Sequence, residues 1–302
     1  MKSKAHAMLW AAFAADALAM PVHWIYDTGK LANEFGRVDR FLEPASGSYH
    51  YGKTKGELTH YGDQMLVLLE SVAACSGFDL QDFAGRWRNL FSDYRGYVDR
   101  ATRTTLENFD RGASPAEAGS SSNDLAGASR LVPLVLCYQQ DLDALIGAAR
   151  LQTQMTHNNP DVIESAAFFA RVLYIVLHGR SPLEAVEEAA ANLEARSALE
   201  TWLPAARELA SQDSISAIGE LGQTCHAPHA FGSVIQLLAR HEHNLVEAMV
   251  ENVMAGGDSA ARGILVAAVL AAHHGWDAIP EAWITELKSH DHLAKLAAPF
   301  GT

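Results

Sequence analysis

Apolar residues return after three or four positions along most of the chain, and the apolar–polar alternation of a half-buried strand is almost absent. Between residues 2 and 20, Leu9, Phe13, Asp16 and Met20 recur at steps of four, three and four, so they share one helical face, which Pro21 ends. Asp16 therefore points inward. The same period, interrupted by Gly or Pro, predicts helices from Gln64 to Cys75, Leu80 to Phe91, Asp141 to Met155, Asp161 to His178, Pro182 to Ala195, Leu199 to Ala210, Phe231 to Arg240, Leu245 to Met254 and Ala260 to His274. The expected class is all-α.

Two segments lack the period. Residues 36 to 62 carry Gly36, Gly47, Gly52, Gly56 and Gly62 with three tyrosines and two histidines, a long loop of the kind that is often functional. Its tyrosines, Tyr49, Tyr51 and Tyr61, are suited either to stacking on an adenine or to covering the core. Residues 112 to 133, "GASPAEAGSSSNDLAGASRLVP", are rich in Gly and Ser. They fit either a surface linker or a segment presenting backbone N–H groups to an anion.

Composition narrows the class further. A chain of 302 residues, 49% hydrophobic and 20% charged, can bury a large core. With no repeat and no linker between halves, we expect a single domain over residues 1–302. The formal charge of -13, from 23 basic and 36 acidic side chains, disfavours nucleic acid as a partner, because phosphate binding depends on Lys and Arg. Three cysteines, Cys75, Cys137 and Cys225, lack metal-ligand spacing and suit a reducing compartment. Lys2 and Lys4 before "AMLWAAFAADALAM" imitate a secretory signal, but Asp16 interrupts the apolar run, and no other window approaches the roughly 18 residues of a membrane span. A cytoplasmic protein without a membrane partner is expected; oligomeric state has no signature in the sequence.

Several residues are candidates for chemistry. A buried carboxylate such as Asp16 needs a partner, since leaving it bare costs about 3–5 kcal/mol; it braces a neighbouring element or holds a catalytic loop. His23 and Trp24 emerge at the C-terminus of the first helix, where the helix dipole favours a protonated imidazole, so His23 is a candidate acid/base or ligand besides a structural histidine. Asp63 after Gly62, and Asp258 after Gly256 and Gly257, each open a helix and read as caps. If the two helix starts meet, they form a carboxylate pair of the hard oxygen type that Mg²⁺ prefers. The paired glycines before Asp258 let the backbone approach something closely, which a cap alone does not require. Thr156 and His157, just upstream of Asn159-Pro160, are placed to orient a substrate hydroxyl or merely to cap and fill. His241-Glu242-His243 lacks the four-residue spacing of a helical zinc site, His290-Asp291 lacks a completing downstream aspartate, and there is no nucleophile elbow, P-loop or dinucleotide fingerprint.

Five segments in order, "AADALAMPVHW", "YGDQMLVLLES", "SSSNDLAGASRLVPL", "MTHNNPDVIESAAFFA" and "VMAGGDSAARGILVAAVLAAHHG", resemble the ADP-ribosylglycohydrolase family over nearly the whole chain. The resemblance implies a compact, mostly orthogonal helical bundle and hydrolysis of the glycosidic bond between ADP-ribose and an acceptor. It also implies two Mg²⁺ ions held by a Thr-Asp-Asp run and a Gly-Gly-Asp-Thr-Asp-Thr run, with an acidic residue after the first helix. This chain departs from that pattern. The first run reads Tyr61-Gly62-Asp63, in a register open by one residue that would set Asp63 at a threonine position; the second reads Asp258-Ser259-Ala260-Ala261; and His23 stands where the acid is expected.

The resemblance therefore leads to a divergent hydrolase acting on an ADP-ribosyl or similar nucleotide-sugar substrate. His23, Asp63 and Asp258 are the expected catalytic residues, and Asn123, His157, Tyr61 and Arg262 the expected substrate contacts. Asp63, Asp258 and Ser259 would hold one divalent ion, Mg²⁺ by resemblance, or none, because few carboxylates remain to offset two dications. Arg262 would meet a phosphate, pair with Asp63 or lie exposed. The alternative is a catalytically silent member with a binding or structural, crystallin-like role.

Overall fold

The periodic segments fold into helices and nothing else: in the computed structural model, which describes residues 3–193 and 196–300, no strand forms and only isolated backbone bridges occur. Two helices make the centre. Lys4–Ala19 and Ser259–His274 are built mostly from Ala, Leu and Val, are buried on nearly every face, and share the most extensive helix–helix contact in the molecule. Small side chains allow that close approach, and a helix apolar all round has to be interior. The segment Lys4–Val22 is long and apolar enough to cross a membrane, but 94% of its apolar window is buried in this core. Of the lysines that imitate a secretory signal, Lys2 lies outside the described residues.

Pro160–Leu177, Ala227–His241 and Leu245–Met254 pack on Ser259–His274, while His60–Cys75 and Val132–Cys137 pack on Lys4–Ala19. The observed helices follow the expected ones within a few residues. Pro182–Ala190 ends earlier than expected, with 194 and 195 of the expected helix outside the described residues. Arg100–Asp110 forms where no apolar period is visible, because its inward face is Ala101, Thr102, Thr105 and Phe109. Ala126–Ser129 and Val132–Cys137 turn the end of the Gly/Ser-rich segment into short buried helices. Residues 36 to 59 hold no helix, as expected of the long loop, whereas Tyr61 and Gly62 already belong to His60–Cys75.

Asp16 shows how the bundle fixes that loop's end. Its carboxylate is fully buried and accepts from the Thr59 N–H at 2.7 Å and the Thr59 hydroxyl at 2.6 Å. Thr59 in turn caps His60–Cys75 through Tyr61 N. A Cβ on Gly62 would overlap the Asp16 carboxylate, which requires glycine there. The inward aspartate thus braces the next helix start, and the N-cap is Thr59 rather than Asp63.

Candidate functional site

The glycine pair before Asp258 is a backbone clasp. Gly256 and Gly257 have φ of +69° and +66°, a region costly for side chains with a Cβ. A Cβ on Gly257 would strike the Gln223 carbonyl, and one on Gly256 would lie 2.6 Å from the Ile25 carbonyl. In their absence Trp24 N donates to Gly257 O at 2.9 Å and Gly257 N to Ile25 O at 2.8 Å, which sets the segment after the first helix against the start of Ser259–His274. Trp24 itself takes φ +68° to make the turn. Arg262, fully buried, holds the clasp from below by donating to Gly256 O at 2.6 Å and to Asn252 Oδ1 at 3.2 Å.

The clasp brings His23 to Asp258. Both are buried, and His23 Nε2 lies 3.1 Å from Asp258 Oδ1. Asp258 also caps its helix through Ala261 N, at 3.3 Å, so the cap and the site are one residue. Its second oxygen accepts from the Tyr61 hydroxyl at 3.1 Å, and that hydroxyl lies 3.5 Å from Asp124 Oδ2. Asp124 arrives through a backbone bridge with His226, in which Leu125 N donates to Cys225 O and Ala227 N to Asn123 O. One donor-type atom from each of Asp124, Cys225 and Asp258 falls within 4.8 Å of the others. A cavity of about 480 Å³ opens over Asp124 and Cys225, walled by Trp24, Tyr97, Asn123 and His226. That volume suits a small-molecule ligand.

The two carboxylates are driven apart in acidity. Burial, then the charge of Asp258, raises Asp124 well above the usual carboxylate range. Burial also resists ionisation of Asp258, but His23, through its nearness and its hydrogen bond, and then Arg262 more than offset it, and its pKa falls below the ordinary value. Asp124 is thus the weaker acid of the pair and Asp258 the stronger. Burial raises Tyr61 and Cys225 too, which keeps the phenol and the thiol neutral.

Of the residues expected from sequence, His23, Tyr61 and Asp258 converge, and Asn123 lines the cavity beside them. Asp63 does not join them. It sits two residues after Tyr61, about 200° around the helix. There it accepts from Lys53 Nζ at 2.6 Å and from the Tyr94 hydroxyl at 2.5 Å. His157 is buried under Gly127 and bonded to Thr156 Oγ1 at 2.9 Å; burial, then Arg130, lowers its pKa to about 3, so it fills rather than titrates. Arg262 is neither exposed nor paired with Asp63 but spent on backbone carbonyls, and burial lowers its pKa to about 10. Ser259 is buried, and its hydroxyl has no partner among the described residues.

The sequence matches the ADP-ribosylglycohydrolase family model over residues 1–301. The chain belongs to the ADP-ribosylglycohydrolase family. It is 27% identical to crystallin J1A of Tripedalia cystophora, across 98% of this chain and 95% of the crystallin. It is 28% identical to an uncharacterised protein of Archaeoglobus fulgidus, across 93% and 90%. A solved structure described as an ADP-ribosylglycohydrolase-related protein complex superposes with a TM-score of 0.75 at 25% identity, covering 98% of this chain and 96% of its own.

ADP-ribosylglycohydrolases are generally hydrolytic and typically bind divalent metals. The residues here do not fit a pair of Mg²⁺ ions. Both oxygens of Asp258 are engaged, by His23 and Tyr61; Asp63 is held by Lys53; and buried methyl groups of Ala260 and Ala261 follow Asp258. The clustered donor set among the described residues, Asp124, Asp258 and the Cys225 thiol, includes a softer ligand than Mg²⁺ prefers. Sequence reasoning missed Asp124 and Cys225. Neither carries a local signal: Asp124 sits in a Gly/Ser-rich segment, Cys225 has no ligand-spaced partner, and the backbone bridge that brings them together spans about a hundred residues.

Proposed function

We propose that the chain hydrolyses a glycosidic bond of an ADP-ribosyl or similar nucleotide-sugar substrate by carboxyl acid–base chemistry that does not depend on a dinuclear Mg²⁺ centre. The geometry that carries this reading is a pair of neighbouring carboxyls bridged by the Tyr61 hydroxyl, Asp124 lining the cavity and Asp258 buried behind it, with the pKa of Asp124 raised and that of Asp258 lowered. Such a split is how carboxyl pairs divide acid and base work. Asp124, at the cavity wall, gives its proton to the leaving nitrogen or oxygen as the bond to the anomeric carbon breaks. It then takes a proton from the water whose oxygen joins that carbon. Asp258 is fully buried and touches no substrate; its negative charge, delivered close by and bridged by Tyr61, favours the positive charge that develops on the sugar ring. Trp24 and Tyr97 offer aromatic faces for a base or ribose.

The test is hydrolysis of ADP-ribosyl-arginine, ADP-ribosyl-serine and O-acetyl-ADP-ribose by the full chain, with and without chelator. Turnover that persists in chelator and falls about a hundredfold or more in Asp124→Asn is expected, the usual weight of a general acid. Turnover abolished by chelator, or indifferent to Asp124→Asn, would sink the mechanism. A second reading, a silent crystallin-like protein, is favoured by the similarity to crystallin J1A. It expects no turnover of any of the three and no stabilisation by ADP-ribose.

A further inference from the structure

The cavity over Asp124 has a neighbour that the acid–base reading does not use. A second cavity of about 500 Å³ opens between the long loop and the segment after Leu80–Leu90, lined by Tyr49, Tyr51, Lys53, Glu57, Tyr94 and Arg95. Tyr97 stands on the walls of both cavities. Its ring meets those of Trp24 and Tyr49 edge-on, at 5.1 and 5.2 Å between centroids, so the two spaces adjoin at a group of aromatic rings.

The charges around the second cavity divide into engaged and open. Lys53 and Asp63 neutralise each other at 2.6 Å, and the Tyr94 hydroxyl donates to the same carboxylate. Glu57 is fixed by the turn before it: Thr54 N and the Thr54 hydroxyl both donate to Oε2, and Oε1 has no hydrogen bond among the described residues. Arg95 is exposed and has neither a hydrogen bond nor an ion pair among the described residues. A carboxylate oxygen and a guanidinium thus line one cavity without pairing with each other, beside Tyr49 and Tyr51, which are 56% and 70% exposed. Such a wall favours a ligand that carries both charges, because each end then makes a charge-assisted hydrogen bond and neither is left uncompensated. A free α-amino acid carries an ammonium and a carboxylate on one carbon, whereas a residue within a polypeptide has neither.

We propose that the second cavity binds the acceptor half of the substrate as a free α-amino acid, its carboxylate on Arg95 and its ammonium on Glu57, so that the chain acts on ADP-ribosylated amino acids rather than on ADP-ribosylated polypeptide. The proposal rests on the hydrolytic reading for the ligand's being a leaving group, but not for the site itself. The acceptor side chain passes Tyr97 toward Asp124. The bond broken is the one between the anomeric carbon and the acceptor atom; water supplies the oxygen that joins that carbon, and the acceptor departs as the amino acid.

Isothermal titration of the full chain with L-arginine, beside arginine acetylated on its amine and amidated at its carboxyl, tests the site without turnover. Free arginine is expected to bind about tenfold more tightly than the capped form, and Arg95→Gln and Glu57→Gln each to erase most of that preference, the weight of one charge-assisted hydrogen bond. Equal binding of the two forms, binding of neither, or a preference that survives both substitutions overturns the proposal. In turnover, Arg95→Gln is expected to raise KM for ADP-ribosyl-arginine about tenfold more than KM for O-acetyl-ADP-ribose, whose acetyl group bears no charge. Equal rises overturn the assignment of Arg95. If arginine binds as stated and no ADP-ribosyl compound is hydrolysed, the acid–base reading fails and the amino-acid site stands; if hydrolysis proceeds and capped arginine binds as well as free arginine, the site fails and the acid–base reading stands.

Discussion

Replacing Asp16 with Asn tests how the bundle pays for a carboxylate at its centre. Burial raises the Asp16 pKa from 3.8 to about 6, with the two Thr59 hydrogen bonds pulling the other way. The native chain therefore binds this proton more tightly than the unfolded chain. Stability from the group is full below pH 3.8 and is lost as pH rises through about 6. At about 1.4 kcal/mol per pH unit, that rise corresponds to roughly 3 kcal/mol. Unfolding entropy of about 2.1 cal/mol/K per residue gives about 0.6 kcal/mol/K for a chain of 302 residues, so the loss amounts to about 5 °C in Tm. Asn is neutral throughout and keeps a carbonyl to accept from Thr59 N. The Tm of Asp16→Asn minus that of the native chain should thus rise by about 5 °C between about pH 4 and about pH 8 in paired thermal melts, where all other titrations cancel. A difference that stays flat, or falls with pH, would refute the argument, because it would mean that the Thr59 donors outweigh burial and hold Asp16 ionised.

Further outcomes follow from the clasp and its surroundings. Gly257→Ala, at φ +66° and against the Gln223 carbonyl, should lose more than about 2 kcal/mol in urea denaturation, and a variant as stable as the native chain would contradict the close approach. Arg262→Met leaves Gly256 and Asn252 without their buried donor and Asp258 without a counter-charge; a loss of about 3–5 kcal/mol is expected, and a near-neutral result would show that the guanidinium is not what holds the loop. Asp63→Asn, facing Lys53 away from Asp258, should leave turnover within about twofold while Asp124→Asn abolishes most of it; the reverse order would put the working carboxylate on the other helix face. Millimolar Mg²⁺ should shift the melting of the full chain by less than about 1 °C, since a bound ion would stabilise by mass action.

The fold was legible because its core is written in Ala, Leu and Val at helical spacing, and a helix apolar on every side has no place but the interior. Arg100–Asp110 escaped because threonines occupy its buried face, where a hydrophobicity pattern registers nothing. In the site, His23 and Asp258 were readable because each follows a local punctuation, Pro21 or the glycine pair, that fixes where its side chain emerges. Asp63 misled for a geometrical reason. A carboxylate near a helix start looks like a ligand whichever way it faces, and only the Thr59 cap sets the rotation that turns Tyr61 inward and Asp63 toward Lys53. Asp124 and Cys225 were out of reach, because the bridge joining them depends on tertiary packing and leaves no mark in either local sequence.

The departures from the family's metal-binding runs make sense together as a change in how charge is balanced. A dinuclear Mg²⁺ site needs several carboxylates, each useful only because the cations are there; without the ions those carboxylates would repel one another in a buried space. Here the helix start turns a phenol, Tyr61, toward Asp258, and the segment after the first helix presents an imidazole, His23; Ala260 and Ala261 follow Asp258 inside its helix. Asp258, whose pKa falls, has Arg262 in the same helix turn to offset its charge, while burial and the charge of Asp258 raise the pKa of Asp124 and so disfavour a second charge beside it. Restoring a single carboxylate, as in Tyr61→Asp, would therefore put a third acid against two without supplying a cation. Such a variant should be destabilised rather than activated by Mg²⁺ at low concentration, because it takes the Tyr61 donor from Asp258 Oδ2 and adds a repelling charge, while Asp258 Oδ1 stays with His23 and one added ligand falls short of the several that a dinuclear site needs.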